Sequence, residues 1–354
     1  MSIIKYLLYP FGFIYGIVLK IRRLFYEKKW LQSYKFPVPV IVVGNLSMGG
    51  TGKTPHVEFL IRHFSSKLHL ATLSRGYGRK SKGYLLASQL PEEDKTAQML
   101  GDEPLQFMTK FPSLEVAVCE NRVLGIEKLL LDRPETEMIL LDDAFQHLSV
   151  KANCNVLLMD FNSPYYNDFP IPAGRLREFP TTAKYANVIV VTKCSPNLSD
   201  KEKKEIEERI NPTKNQEIYF STYLYEQPVP ITEKAQCITL SSDTPIVLIS
   251  GIAHPESLQK FVQKTYKNVI CYHFPDHYVF KEQDLNKILW ENEKTMEQGG
   301  IILSTEKDVM RLVTGVTKKI ISLHPLFALP IRVEILFDEK EKLIKKINSY
   351  VRKD

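Results

Sequence analysis

Residues 40–54 read VIVVGNLSMGGTGKT, an apolar β-branched run followed by a glycine-rich loop that closes on Gly-Lys-Thr. The run predicts a buried strand, and the loop predicts a site for the phosphates of a nucleotide. Backbone N–H groups can surround the phosphates, Lys53 can reach the β- and γ-phosphates, and the Thr54 hydroxyl can bind Mg²⁺. The predicted nucleotide-binding residues are Ser47, Met48, Gly49, Gly50, Thr51, Gly52, Lys53 and Thr54.

Ser47 departs from the usual phosphate-loop pattern, which has glycine at this position, five residues before Gly52. The alternative is therefore a glycine-rich turn that matches the pattern by chance. Residues 57–64 have apolar side chains at helical spacing, so strand, loop and helix follow in the order that the motif requires. We therefore expect a nucleoside triphosphate at this loop, with the positive end of the helix dipole beside it.

The chain has 354 residues and a formal charge of +6, from 47 basic and 41 acidic residues. This modest excess fits an anionic substrate or a membrane surface, and it gives no reason to expect nucleic acid as a partner. No obligate protein partner is inferred. The cysteines are scattered without a C-x-x-C pair, which predicts free thiols in a reducing compartment, not a disulfide or zinc framework: Cys119, Cys154, Cys194, Cys237 and Cys271.

The N-terminus differs from the rest of the chain. Residues 3–19 are almost all apolar or aromatic, and basic residues follow up to Lys29. A cleaved signal peptide would carry its charge first, and a membrane-spanning helix needs about 20 apolar residues. We predict that residues 1–30 form a helix in the membrane interface, with basic side chains on anionic lipid. An apolar helix packed on the protein is the alternative.

Several acidic residues follow predicted strands or begin predicted helices. Asp142 and Asp143 close an apolar strand, where a phosphate-loop enzyme needs carboxylates for Mg²⁺; a turn or cap is the alternative. His147 can contact phosphate or cap the turn, and its role is open. By itself, the Gly-Asp-Glu-Pro sequence at Asp102 and Glu103 reads first as a helix cap, although either acid could accept a proton from an attacking hydroxyl.

Other polar residues near predicted loops could meet phosphate or move a proton. Arginine side chains suit phosphate groups, and the candidates are Arg75, Arg79, Arg122, Arg175 and Arg177. His254 and the Asp276-His277 pair follow strands in the second half of the chain, where a lone histidine is more often structural. Residues 304–308, Ser-Thr-Glu-Lys-Asp, also follow a strand and read as a polar helix start.

Taken together, the ordered motifs resemble the tetraacyldisaccharide 4'-kinase family of lipid A biosynthesis. The resemblance covers most of the chain, with Ala144 where glycine is expected and with residues 161–169 lacking an Arg-Gly…Gly-Asn pattern. The residues that carry it lie at 43–45, 49–55, 74–78, 101–104, 142–147, 172–178, 251–255, 276–277 and 305–308.

The resemblance implies transfer of the ATP γ-phosphate to the 4'-hydroxyl of an acylated glucosamine disaccharide 1-phosphate at the cytoplasmic face of the bacterial inner membrane. It implies that Asp102 is the catalytic acid/base, paired with His277 or alternatively His254, and that Lys53 also serves in catalysis. Thr54, Asp142 and Asp143 are the expected Mg²⁺ ligands. The substrate residues expected beside them are Arg75, Tyr77, Arg122, His147, Arg177 and His254.

The implied fold is α/β, with a parallel P-loop NTPase-like core, a smaller α/β C-terminal subdomain and a two-stranded linker. We predict a kinase core at 31–217, the linker at 218–240, the subdomain at 241–330 and a returning strand and C-terminal helix at 331–354. Two rival functions remain at this point: a membrane-associated NTPase of another type, and a nucleotide-binding module without enzyme activity.

Overall fold

The computed structural model describes residues 3–276 and 278–351, in which strands and helices alternate through two sheets. The strands are β1 Val40–Asn45, β2 Leu70–Ser74, β3 Leu85–Leu86, β4 Glu115–Val118, β5 Met138–Asp142, β6 Cys154–Asp160, β7 Val188–Thr192, β8 Glu217–Tyr225, β9 Val229–Pro230, β10 Ile246–Ser250, β11 Val269–His273, β12 Ile301–Thr305, β13 Leu326–Leu329 and β14 Ile331–Ile335. The helices are α1 Ile3–Glu27, α2 Lys53–Phe64, α3 Ala97–Leu100, α4 Asp102–Lys110, α5 Arg122–Asp132, α6 Asp200–Ile210, α7 Glu256–Thr265, α8 Glu282–Glu291, α9 Glu293–Glu297, α10 Glu306–Leu312, α11 Lys318–Ile321 and α12 Lys340–Val351.

The large sheet has nine strands in the order β14-β8-β7-β6-β1-β5-β2-β4-β3. The strands from β8 to β4 are parallel, and β14 and β3 are antiparallel at the two edges. Every residue of β1, β2, β5 and β7 is buried, because apolar clusters cover both faces of the sheet. In this register Val43 pairs with Asp142, so the end of β5 lies beside the loop that follows β1.

The smaller sheet has the order β11-β10-β12-β13-β9 and carries its own apolar clusters on its two faces. Only β9 is antiparallel to its neighbour. The chain enters this unit after β8 and leaves it before β14, and these two strands pair antiparallel, from Tyr225 opposite Ile331 to Ser221 opposite Ile335. The α/β fold with two sheets and a two-stranded connection therefore agrees with the sequence-based expectation.

The segment predicted as the linker, residues 218–240, starts inside β8. The first part of this segment pairs in parallel with β7, and its residues Tyr219, Phe220 and Ser221 are fully buried. The first part of this segment is thus a strand that is buried on both faces in the large core, and the connection to the second sheet begins only after Tyr225. The exact domain boundaries remain a prediction.

Helix α1 packs against the core through a narrow face of small residues. A Cβ on Gly12 would lie 2.6 Å from the carbonyl oxygen of Pro170, and one on Gly16 would lie 2.5 Å from the Phe179 ring. The remaining faces carry exposed apolar side chains, among them Leu7, Phe11, Ile14, Val18 and Ile21. Within the described residues, no helix has the length and apolar character that crossing a membrane requires.

Candidate active site

The loop after β1 has the backbone of a phosphate cradle. Gly49 and Gly52 have φ values of 108° and 84°, which residues with a Cβ rarely adopt, and α2 begins directly afterwards at Lys53. The Asn45 amide donates to the Thr51 hydroxyl at 2.8 Å and fixes the far side of the loop. The loop residues from Met48 to Gly50 are exposed. The backbone N–H groups and the start of α2 are thus arranged for an anionic ligand.

Two other segments hold this loop in place. At the end of β7, Lys193 donates to the Gly50 carbonyl at 2.5 Å and to Asp160 at 2.7 Å, and Thr192 donates to the Thr51 carbonyl at 2.9 Å. On the other side, Met48 N donates to Arg175 O at 2.7 Å. Thr192 and the adjacent Lys193 are thus both bonded to the loop backbone.

The two aspartates at the end of β5 have different environments. Asp143 has a φ of 50°, and its carboxylate accepts hydrogen bonds from both terminal nitrogens of Arg177 at 2.7 and 3.0 Å. The same carboxylate lies 3.7 Å from Lys53 Nζ. Burial raises the pKa of Asp143, but Lys53 and Arg177 outweigh it and leave the pKa below its usual value. Asp142 is fully buried, and burial together with Asp143 raises its pKa to about 7.

This pair fits a divalent cation. Asp142 Oδ1 is buried and has no hydrogen-bond partner among the described residues, and a bound cation would satisfy it. Carboxylate and hydroxyl oxygens are the donors that Mg²⁺ prefers, and it commonly uses one or two carboxylates together with substrate phosphates and water. Residues 3–276 and 278–351 contain no group of three acidic, histidine or cysteine side chains for a metal, so the phosphates would have to complete the coordination.

A basic group lies next to the aspartates. Arg122 begins α5, is almost fully buried and donates to Cys119 O at 2.6 Å; burial lowers its pKa to about 10. Burial, with the charges of Arg122 and Arg75, lowers the pKa of His147 to about 4, so this histidine is neutral at pH 7. The backbone N–H of His147 also closes a turn onto Ala144 O at 2.9 Å. Arg75 itself is exposed.

The other predicted arginines are engaged elsewhere. Arg177 is bound to Asp143 through both of its terminal nitrogens. Arg79 pairs with Glu120 at 2.6 Å, and Arg175 lies 3.4 Å from Asp168. Tyr77, in the loop after β2, is 70% exposed.

Asp102 is the first residue of α4, and Gly101 precedes it as the cap residue with φ of 96°. The negative charge of Glu103 contributes to the raised pKa of Asp142, which places the start of α4 beside the aspartate pair. Arg311 Nε lies 3.6 Å from Asp102 Oδ2, and Lys307 Nζ lies 3.3 Å from Glu103 Oε1. The start of α4 therefore lies near the aspartate pair and faces the smaller subdomain.

The two candidate histidine partners are not resolved by the geometry. His254 is exposed in the loop between β10 and α7. His277 lies outside the described residues, between Asp276 and Tyr278. The choice between these two histidines remains a prediction.

Sequence reasoning missed two residues that bear on the site. No local pattern marks Lys193, because its partner Gly50 is 143 residues away in the sequence. Arg311 follows the Thr305–Asp308 segment by one helical turn, and the spacing of Asp308 and Arg311 was the available signal.

A nucleotide-phosphate loop on a parallel sheet, with a lysine and paired aspartates beside it, defines a phosphate-loop α/β enzyme of the phosphotransferase class. Residues 4–352 match the family model described as tetraacyldisaccharide-1-P 4'-kinase, and the chain belongs to this family. The tetraacyldisaccharide 4'-kinase of Flavobacterium psychrophilum is 42% identical over 99% of this chain and 98% of its own length. The enzyme of Bacteroides thetaiotaomicron is 38% identical over 98% and 93%, respectively.

A solved structure supports the same assignment. The "apo" form of LpxK from Aquifex aeolicus, in complex with ATP, superposes with a TM-score of 0.73 at 27% sequence identity. The match covers 99% of this chain and 100% of that one. The predicted P-loop NTPase-like fold and the kinase family are therefore confirmed.

Proposed function

We propose that this chain transfers the γ-phosphate of ATP to the 4'-hydroxyl of a tetraacylated glucosamine disaccharide 1-phosphate, a step of lipid A biosynthesis. The observation that carries the proposal is the meeting of three features at one sheet edge. These are the phosphate loop, the Asp142–Asp143 pair and the start of α4 at Asp102. Family membership supports the acceptor, and the ATP in the Aquifex aeolicus relative supports the donor.

In this proposal, the backbone of residues 47–54 binds the triphosphate and Lys53 reaches the β- and γ-phosphates. Thr54, Asp142 and Asp143 are the residues that would hold Mg²⁺, which would offset negative charge on the phosphate oxygens. Lys193 and Thr192 keep the loop in its open shape by occupying two of its carbonyl groups. The loop therefore needs little rearrangement when the nucleotide binds.

Asp102 accepts the proton of the 4'-hydroxyl as the hydroxyl oxygen bonds to the γ-phosphorus and the bond from that phosphorus to ADP breaks. His277 is the proposed partner of Asp102, with His254 as the alternative. Arg75 and Arg122 supply positive charge for the phosphates at the end of β5, with Tyr77, His147 and Arg177 in the adjoining loops. His147 acts as a neutral hydrogen-bonding group, because its pKa lies near 4.

The lipid acceptor is expected to arrive along α1. Gly12 and Gly16 attach this helix to the body, and the opposite faces present apolar and aromatic side chains. Such a surface would lie in the interface of the inner membrane on its cytoplasmic side, and the exposed lysines Lys20, Lys28 and Lys29 would meet anionic headgroups. The acyl chains and the sugar headgroup would then reach the site from the membrane side.

The test is transfer of label from γ-labelled ATP to detergent-dispersed acylated disaccharide 1-phosphate in the presence of Mg²⁺. Wild type is compared with Asp102→Ala and with Asp200→Ala, a matched control in which the acid begins the exposed helix α6. We expect label in the lipid with wild type and Asp200→Ala, and a loss of at least about 100-fold with Asp102→Ala. Label released only as free phosphate would refute the acceptor assignment.

The same assay separates the two histidines. His277→Ala and His254→Ala are each compared with wild type at saturating ATP and acceptor. A large fall in kcat for His277→Ala and a small one for His254→Ala would support the first pairing. The reverse pattern would move the role to His254.

A further inference from the structure

Helix α10 of the smaller subdomain lies against α4 of the core and is joined to it by ion pairs. These pairs connect the subdomains along the whole length of α4, from the catalytic end at Asp102 to the last residue at Lys110. The distances are 3.6 Å for Arg311 Nε–Asp102 Oδ2, 3.3 Å for Lys307 Nζ–Glu103 Oε1 and 2.5 Å for Lys110 Nζ–Glu306 Oε1. The pair at the catalytic end differs from the others because Arg311 is buried.

The guanidinium of Arg311 is fixed by several groups of its own subdomain. Its two terminal nitrogens donate to Tyr278 O at 3.0 Å, to Gly251 O at 3.2 Å and to the carboxylate of Asp308. The Phe280 ring lies 5.9 Å from the guanidinium carbon. Both terminal nitrogens are thus hydrogen-bonded within the smaller subdomain. These bonds fix the plane of the guanidinium independently of Asp102.

Asp308 is itself fully buried and fixed. It accepts hydrogen bonds from Gly251 N at 3.0 Å and from the Thr305 hydroxyl at 2.6 Å. The polar segments that follow β10 and β12 therefore converge on one arginine, Arg311. Burial raises the pKa of Asp308, and the positive charge of Arg311 opposes that rise.

One donor of Arg311 remains available for the core. Its Nε is buried and makes no hydrogen bond within the described part of the chain, and it faces Asp102 Oδ2. A donor buried without a partner is costly, so a small shift that brings Asp102 to hydrogen-bond distance is favoured. Arg311 thus offers Asp102 a rigid, directed partner, which a flexible lysine at this depth would not.

We propose that Arg311 is a positioning residue for phosphoryl transfer: it holds the Asp102 carboxylate in the orientation that accepts the proton of the acceptor hydroxyl. The inference rests on the proposed function, because it assigns Arg311 a role through Asp102. In this proposal, the polar cluster of Thr305, Asp308 and Gly251 serves to hold the Arg311 guanidinium in place.

The experiment compares Arg311→Gln, Arg311→Lys and Glu306→Gln in the full-length chain. Glu306→Gln is the matched control, because it weakens an ion pair of the same α4–α10 interface without touching Asp102, and Lys110 keeps Glu58 as a partner at 2.6 Å. The measurements are kcat and both KM values for transfer of label to the acylated disaccharide 1-phosphate. Circular dichroism and the melting temperature report the fold.

We expect Arg311→Gln to lower kcat about 30- to 100-fold, with both KM values within about threefold of wild type. Arg311→Lys should recover part of the loss, and Glu306→Gln should stay within about twofold of wild type. In the Asp102→Asn background, Arg311→Gln should lower the residual rate by less than about twofold, because a residue that acts through Asp102 has nothing left to orient.

The inference is overturned if Arg311→Gln matches Glu306→Gln in kcat, or if the two substitutions at 102 and 311 lower kcat independently. If Arg311→Gln does not fold, the same cycle is carried out with Arg311→Lys, which leaves a cation beside Asp308. An additive result there also overturns the inference. Failure of wild type to label the lipid at all would refute the proposed function instead, so the two failures are distinct.

Discussion

The guanidinium of Arg23 on α1 donates a hydrogen bond of 2.7 Å to the buried carboxylate of Glu178, the residue directly after the arginine that holds Asp143. Arg23 also lies over the Tyr185 ring at 4.6 Å and is itself buried. The N-terminal helix and the end of β5 are thus attached to neighbouring positions of one segment. Through that segment, α1 is connected to the aspartate that lies 3.7 Å from Lys53 of the nucleotide loop.

The Arg23–Glu178 pair predicts a large stability effect. Replacing Arg23 with Met leaves Glu178 buried and unpaired, so the free energy of unfolding should fall by about 3–5 kcal/mol in urea titrations. Arg133→Met is the matched control, because Arg133 Nε and Glu115 also lie 2.7 Å apart but the pair is far less buried. It should cost no more than about 1 kcal/mol. Equal losses for the two variants would contradict this prediction.

Lys193 predicts an effect on nucleotide binding. Its removal frees the Gly50 carbonyl and loosens the loop, and a hydrogen bond to a charged group contributes about 1.5–3 kcal/mol. Lys193→Met should therefore raise the Kd for ATP about tenfold or more in a fluorescence titration. Lys201→Met, on the exposed helix α6, should leave the Kd unchanged. An unchanged Kd for Lys193→Met would show that the loop keeps its shape without this contact.

The sequence predicted well those features that are encoded locally. Strand β1, its loop and α2 are contiguous, and the glycines at 49 and 52 mark the positive φ values that the loop needs. The short β-branched strands that alternate with helices indicated the parallel sheet for the same reason. A strand that is buried on both faces has apolar side chains along most of its length, so its own sequence reveals the burial.

The remaining site features depend on contacts between distant parts of the chain. Arg23 and Glu178 are 155 residues apart, and Lys193 and Gly50 are 143 apart. No periodicity links such positions, so only the fold brings them together. Strand β8 shows the same dependence, since its first residues pair with β7 and its later residues pair with β14, and no local pattern reveals either partner.

The exposed face of α1 predicts a specific response at a lipid surface. Phe11 is 62% exposed, and placing a carboxylate there should lower the fraction of protein that sediments with anionic phospholipid vesicles by about fivefold or more. Leu131→Asp is the matched control, because Leu131 is 79% exposed on α5. We expect it to sediment like wild type. A similar loss for both variants would indicate that a general change in charge, and not α1, governs the association.

His147 predicts a pH-dependent stability. Its pKa in the folded protein is about 4, against an ordinary value of 6.5, because burial and then Arg122 and Arg75 disfavour its charged form. The unfolded chain therefore binds the additional proton first, and stability is fully present above pH 6.5 and is lost as the pH falls toward 4. Between pH 8 and pH 5, wild type should lose about 2 kcal/mol more than His147→Gln.

The measurement is urea unfolding at pH 8 and pH 5 in the absence of nucleotide. The control is His69→Gln, which replaces an exposed histidine before β2 and should follow wild type at both pH values. If His147→Gln loses as much stability as wild type on acidification, folding does not lower the pKa of His147, and this histidine is charged in the folded state at pH 5. That result would contradict its proposed role as a neutral hydrogen-bonding group at this pH.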